Sequence, residues 1–179
     1  MNNYSLLSKL LHWSMALAMF FLFGLGVYMI DLGYYDSNYT LSYSVHKAVG
    51  MIVLFVAAIQ LMWAIVHKGP DMVSTLRNWE RVSAALMHKL LFALIVFIPL
   101  SGYVIAAAVG QSVDIFGLIE IPAFFPDMFK PEDIAIEDIA SEAHYYLAYG
   151  GAGFVVLHLL AALKHHFVDK DRTLRRMTF

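Results

Sequence analysis

The stretch HYYLAYGGAGFVVLHLLAALKHH, His144 to His166, decides the fold. Between His144 and Lys164 lie nineteen residues without a formal charge. At 1.5 Å rise per residue such a run crosses the ~30 Å hydrocarbon core of a bilayer with its ends in the interface. Two histidines belong to the span itself. His144 and His158 are fourteen residues apart, close to four helical turns, so their imidazoles leave one face about 21 Å apart along the axis. One ligand in each leaflet on a single face points to two cofactors stacked across a membrane.

The rest of the chain matches that setting. Of 179 residues, 60% are hydrophobic and 15% charged, and the mean hydropathy is +0.66, outside the range of soluble domains. The 179 residues are read as a single membrane domain, with the work done by the bundle and its short loops. No cysteine is present, which excludes disulfides, iron–sulfur clusters and thioether-attached haem and leaves histidine as the strong ligand. The few basic residues form no groove-like run interleaved with aromatics, so nucleic acid is not an expected partner.

Four spans are expected, at about 10–30, 48–66, 90–109 and 145–163, giving an all-α integral membrane four-helix bundle. The first is too long for a signal-peptide core, and no A-x-A-like site follows it. Asp31 to Val45 reads as a polar, tyrosine-rich loop at the membrane surface. His67 to Met87 reads as a connector in which Arg77, Trp79, Glu80 and Arg81 lie along the interface. Pro99 is expected to kink the third span. Gln111 to Glu142, with Phe124, Phe125, Phe129, Pro122, Pro126 and Pro131, reads as an ordered cap on the bundle.

Charge then sets the orientation. Ten of the twelve Lys and Arg residues fall on the side that holds both termini, and only Lys47 and Lys130 on the other. The positive-inside rule places both termini in the cytoplasm. Ten of the fourteen acids fall on the outer side.

Topology gives each histidine a height, because alternate spans run in opposite directions. His12 and His158 lie toward the cytoplasm; His46 and His144 lie toward the outside. Opposed pairs at two depths suit bis-histidine haem b, in which two imidazoles clamp the iron from either side of a porphyrin. Gly24 and Gly26 on span one, and Gly150, Gly151 and Gly153 on span four, would let backbone approach a flat macrocycle, or another helix. His88 shares the cytoplasmic depth and competes with His12 as partner of His158, with a place near the haem propionates as the favoured role. His67 reads as interfacial, and His166 as a polar group on a different face. His165, seven residues past His158, suits a hydrogen bond or proton exchange with a quinone headgroup. Zinc fits less well, since zinc ligands cluster at one point and no H-E-x-x-H motif is present.

With His12-Trp13, His46-Lys47-x-x-Gly50, His144 and the tail LHLLAALKHHFVDKDRTLRRM on the page, the chain resembles the bacterial cytochrome b561 family along its whole length. The resemblance implies a small inner-membrane protein with two haem b groups, His12 pairing with His158 and His46 with His144. It also implies electron transfer to ubiquinone near His165, with superoxide oxidation at the outer face as the activity. The expected partners are membrane lipid and the quinone pool. The alternative is an electron-transfer subunit serving a partner dehydrogenase or hydrogenase. The acidic outer face departs from what a superoxide-consuming surface would present, since steering follows the sign of the local field.

Overall fold

A computed structural model describes residues 3–124 and 136–179. Four long helices carry the fold: α1 (Leu6–Ile30), α2 (Tyr39–Val66), α3 (Asn78–Ala108) and α4 (Ile136–Phe167). Each is long and apolar enough to cross a membrane. A short antiparallel hairpin, β1 (Val113–Ile115) and β2 (Ile119–Ile121), lies between α3 and α4 in sequence, and a 3-10 turn, Leu174–Arg176, follows α4.

All four helices begin earlier than hydropathy indicates, α1 by only about one turn, at Leu6. α2 starts at Tyr39, inside the expected tyrosine-rich loop; α3 starts at Asn78, inside the expected connector; α4 starts at Ile136, inside the expected cap. The added turns are polar and carry no hydrophobic run, yet their backbone bonds close within the helix as they do further in. Glu80 supplies the start of α3, its Oε2 accepting the Arg77 backbone N–H at 2.9 Å. Trp79, Glu80 and Arg81 are therefore first-turn residues of α3 and not a separate interfacial segment. Ser5 caps α1 by accepting the Ser8 N–H at 3.2 Å. α3 continues through Pro99 as one element.

The cap is partly as expected. Val113 of β1 is only 1% exposed, and β1 packs on α2. The hairpin turns through Phe116 and Gly117, both at positive φ, with the Gly117 N–H donating to the Asp114 carboxylate at 3.0 Å. Tyr103 Oη of α3 donates to the Pro122 carbonyl at 2.8 Å and accepts the Phe124 N–H at 2.9 Å, tying the segment after the hairpin to the bundle. Phe125, Pro126, Phe129, Lys130 and Pro131 lie outside the described residues.

Packing runs around the bundle in the order α1–α2, α2–α3, α3–α4, while α1 and α4 are not among its closely packed pairs. Met15, Leu22, Val53 and Ala57 bury the seam between α1 and α2. Gly151 lets α4 approach α3 until a Cβ there would stand 3.1 Å from Ile98 Cδ1. The open side is bridged at its terminal end by the tail. The Thr178 carbonyl accepts from Lys9 Nζ at 2.6 Å, the Met177 carbonyl from Trp13 Nε1 at 2.9 Å, and the Arg176 carbonyl from the Tyr4 N–H at 3.3 Å. All three donors are on or just before α1, so the tail links the end of α4 to the start of α1.

Candidate functional site

Five of the eight histidines gather in two groups at opposite ends of the bundle. Near the hairpin end, His46 of α2 and His144 of α4 face each other with ring centroids 6.1 Å apart and planes at 73°. Near the terminal end, His12 of α1 and His158 of α4 stand 6.5 Å apart at 63°. His88 of α3 joins the second group, 5.5 Å from His158 at 69°. The earlier start of α3 explains this, since it sets His88 more than two turns inside the helix and not at its entrance.

The spacing carries chemical information. Two imidazoles binding one metal from opposite sides, each nitrogen about 2 Å from it, hold their centroids about 6 Å apart once the ~1 Å from nitrogen to centroid is added on each side. Both opposed pairs match that span, and the His88–His158 separation falls short of it. The donor set suits a borderline metal such as haem iron.

The outer shell of His144 comes from α3. Its Nδ1 donates to the Ile98 carbonyl at 2.9 Å and lies 3.1 Å from Ser101 Oγ, which itself donates to Ile98 O at 2.7 Å. A ring nitrogen held this way is the protonated one, leaving Nε2 with its lone pair as the ligating atom. A Cβ on Gly102 would stand 3.1 Å from His144 Cε1, so the imidazole lies directly on the α3 backbone. Gly26 does the same for His46, at 3.4 Å. The buried Nδ1 of His46 has no partner among the described residues, a state that a nearby acceptor group or ligand would relieve. A Cβ at Gly24, Gly50, Gly150 or Gly153 would meet nothing within 4 Å, and Gly150 and Gly153 are exposed. These residues fit a pair of macrocycles held by opposed histidines.

At the terminal end of α4, His165 Nδ1 lies 2.8 Å from an Asp169 oxygen and 3.0 Å from Asp171 Oδ2. Lys164 Nζ bridges Glu80 of α3 at 2.6 Å and Asp169 at 2.7 Å. Burial of Asp171 on its own would raise its pKa. Hydrogen bonds from Thr173 and the neighbouring His165 outweigh that effect and hold the carboxyl below the usual carboxylate range. His67 caps α2 and stacks on Trp63 at 3.4 Å, and His166 meets Phe167 edge-on at 4.7 Å; neither joins the two groups.

Sequence reasoning missed Ile98, Ser101 and Gly102 as the support of His144. The small pair Ser101-Gly102, two and three residues after Pro99, was the available signal.

Comparison with known proteins gives the family. The family model described as prokaryotic cytochrome b561 matches residues 3–179. Cytochrome b561 homolog 2 of Escherichia coli (strain K12) is 33% identical over 176 residues, covering 98% of this chain and 91% of its own. Cytochrome b561 homolog 1 of the same organism is 28% identical, covering 79% of this chain and 77% of its own. A probable superoxide oxidase CybB of Yersinia pestis is 28% identical, covering 74% and 72%. The opposed histidines, the four spans and the match along nearly every residue make one assignment: the chain is a multi-pass membrane protein of the prokaryotic cytochrome b561 family.

Proposed function

We propose that the chain, as one domain over residues 1–179, is a dihaem cytochrome b of the bacterial inner membrane with both termini in the cytoplasm. In this reading it takes electrons from superoxide at the outer face and delivers them to ubiquinone near the cytoplasmic face, as a superoxide:quinone oxidoreductase. The observation that carries the proposal is the presence of two opposed histidine pairs, 6.1 and 6.5 Å apart, at opposite ends of one bundle.

Haem b, which family membership implies, supplies reversible one-electron chemistry. His46 and His144 would hold one group, and His12 and His158 the other. Ile98 and Ser101 keep His144 in the tautomer that presents Nε2. Lys47, half-buried beside His46, offers a local cation to an arriving anion. His165 offers a nitrogen to a quinone carbonyl at the other end. The name of the Yersinia pestis relative supports superoxide as the donor.

A second reading has its own observation. Asp31, Asp36, Asp114, Glu120, Glu137, Asp138 and Glu142 make the outer face acidic, which suits a basic redox protein better than a small anion. In that case the chain is the electron-transfer subunit of a partner dehydrogenase or hydrogenase. The purified protein alone distinguishes the two. Superoxide consumption faster than spontaneous dismutation, dependent on added ubiquinone, supports the first. Equal rates with and without the protein count against it.

A further inference from the structure

His165 is held by more than a helix position. Its Nδ1 lies between two carboxylates, Asp169 at 2.8 Å and Asp171 at 3.0 Å. The two differ in access, since the Asp171 side chain is 5% exposed and that of Asp169 is 31% exposed. Asp171 is fixed in turn, its Oδ1 accepting the Thr173 N–H at 2.7 Å. The Asp169 oxygen that meets His165, Oδ2, is also held by Lys164, which reaches Glu80 on α3 as well. Glu80, Lys164, Asp169 and Asp171 are the charged groups around this imidazole among the described residues. Glu80, His165 and Asp169 come close enough to suggest a cation site, but the Lys164 ammonium already bridges the two acids.

A carboxylate accepts and does not donate, so an imidazole nitrogen facing two of them carries the hydrogen. Tautomer and ring plane are then set from behind, and Nε2 is the nitrogen left for a ligand. Reducing a quinone to a quinol takes two electrons and two protons, one proton onto each carbonyl oxygen. Haem held by the histidine pairs would supply the electrons one at a time, and the protons would come from the cytoplasmic side.

We propose that Asp169 and Asp171 are positioning residues for quinone reduction, fixing His165 so that the imidazolium ring donates its Nε2 proton to a quinone carbonyl oxygen and is left as the neutral Nδ1–H tautomer. The far carbonyl oxygen takes its proton from water, the neutral ring regains a proton on Nε2 from water before the next turnover, and Nδ1–H stays between the carboxylates throughout. This rests on the quinone reading given above.

The test is stopped-flow oxidation of the chemically reduced holoprotein by a short-chain ubiquinone analogue, for wild type, Asp169→Asn, Asp171→Asn, Asp169→Glu and His165→Ala. Because positioned proton donors contribute about 10²–10⁴ in rate, each Asn variant is expected to lower the limiting rate about tenfold or more while changing half-saturation by less than about twofold. Asp169→Glu should restore most of the rate, and haem spectra should stay unchanged. If Asp171→Asn does not fold, the more exposed Asp169→Asn decides the question. Wild-type limiting rates in the Asn variants, with His165→Ala still slow, would overturn the proposal and leave the quinone reading standing. A wild-type rate in His165→Ala would overturn the proposal together with the quinone contact at His165, and no oxidation of the wild type by the quinone would overturn the quinone reading itself.

Discussion

Gly102→Ala is a one-carbon test of how α3 governs the His46–His144 site. The new methyl would stand 3.1 Å from His144 Cε1 and 3.3 Å from Nδ1, closer than the 3.4–4 Å of ordinary contact. The imidazole must therefore retreat by a few tenths of an ångström. Its retreat is opposed by the hydrogen bond to the Ile98 carbonyl at 2.9 Å. Stretching or losing that bond costs about 0.5–1.5 kcal/mol, which corresponds to a roughly two- to tenfold loss of haem affinity at this site. Gly102→Val, with more bulk on a backbone that cannot yield, should empty the site. The His12–His158 site is the internal control, since α3 does not pack its residue 102 against it. Haem content by pyridine haemochromogen assay and a redox titration resolving the two centres report the result. Unchanged haem content and potentials in both variants would refute the claim that His144 is seated on α3, and equal loss from both centres would show a general folding defect instead.

Other expectations follow from the same geometry. Deleting residues 174–179 removes the bonds from Tyr4, Lys9 and Trp13 to the tail, about 2–4 kcal/mol at about 1 kcal/mol each. The His12–His158 centre should then lose haem on dilution before the other does, and simultaneous loss from both would count against a local clamp. His88→Ala should keep both centres low-spin, because its 5.5 Å approach to His158 is short for a metal-bridged pair; loss of one centre there, with His12→Ala intact, would reassign the ligand. Asp171 contributes a pH-dependent term to stability. Its folded-state pKa is lowered, so the contribution is full above the ordinary carboxylate range and is lost as pH falls through the depressed value. The difference in melting temperature between wild type and Asp171→Asn should accordingly be largest near neutrality and vanish in acid, and a difference independent of pH would contradict the assignment.

Much of this fold is legible in the chain because a bilayer imposes a simple count. Apolar runs of about twenty residues locate spans, and all four are present. Hydropathy does not find helix ends, however, because the first turns of α2, α3 and α4 are helical through backbone bonds and, in α3, the Glu80 cap, none of which needs an apolar run. The expected start of α3 put His88 at an entrance, yet depth alone already set it near His158, from which it stands 5.5 Å away. The opposed histidines were legible because fourteen residues on α4 return to one face and span direction sets depth. The support of His144 was not, because it comes from the Ile98 carbonyl, and backbone acceptors leave no mark in a sequence. The tail is the same case, since its bonds to α1 use main-chain oxygens of Arg176, Met177 and Thr178. By contrast, the Asp169 contact to His165 is an i, i+4 pair and was open to inspection.

The most direct test of the central claim is the haem-to-protein ratio, with reduced-minus-oxidised spectra, of the wild type and of His144→Ala and His158→Ala. The account predicts two haem b per chain in the wild type, falling to one in each variant, with a different centre lost each time. Two haems retained in either variant, or no b-type bands in the wild type, would contradict it.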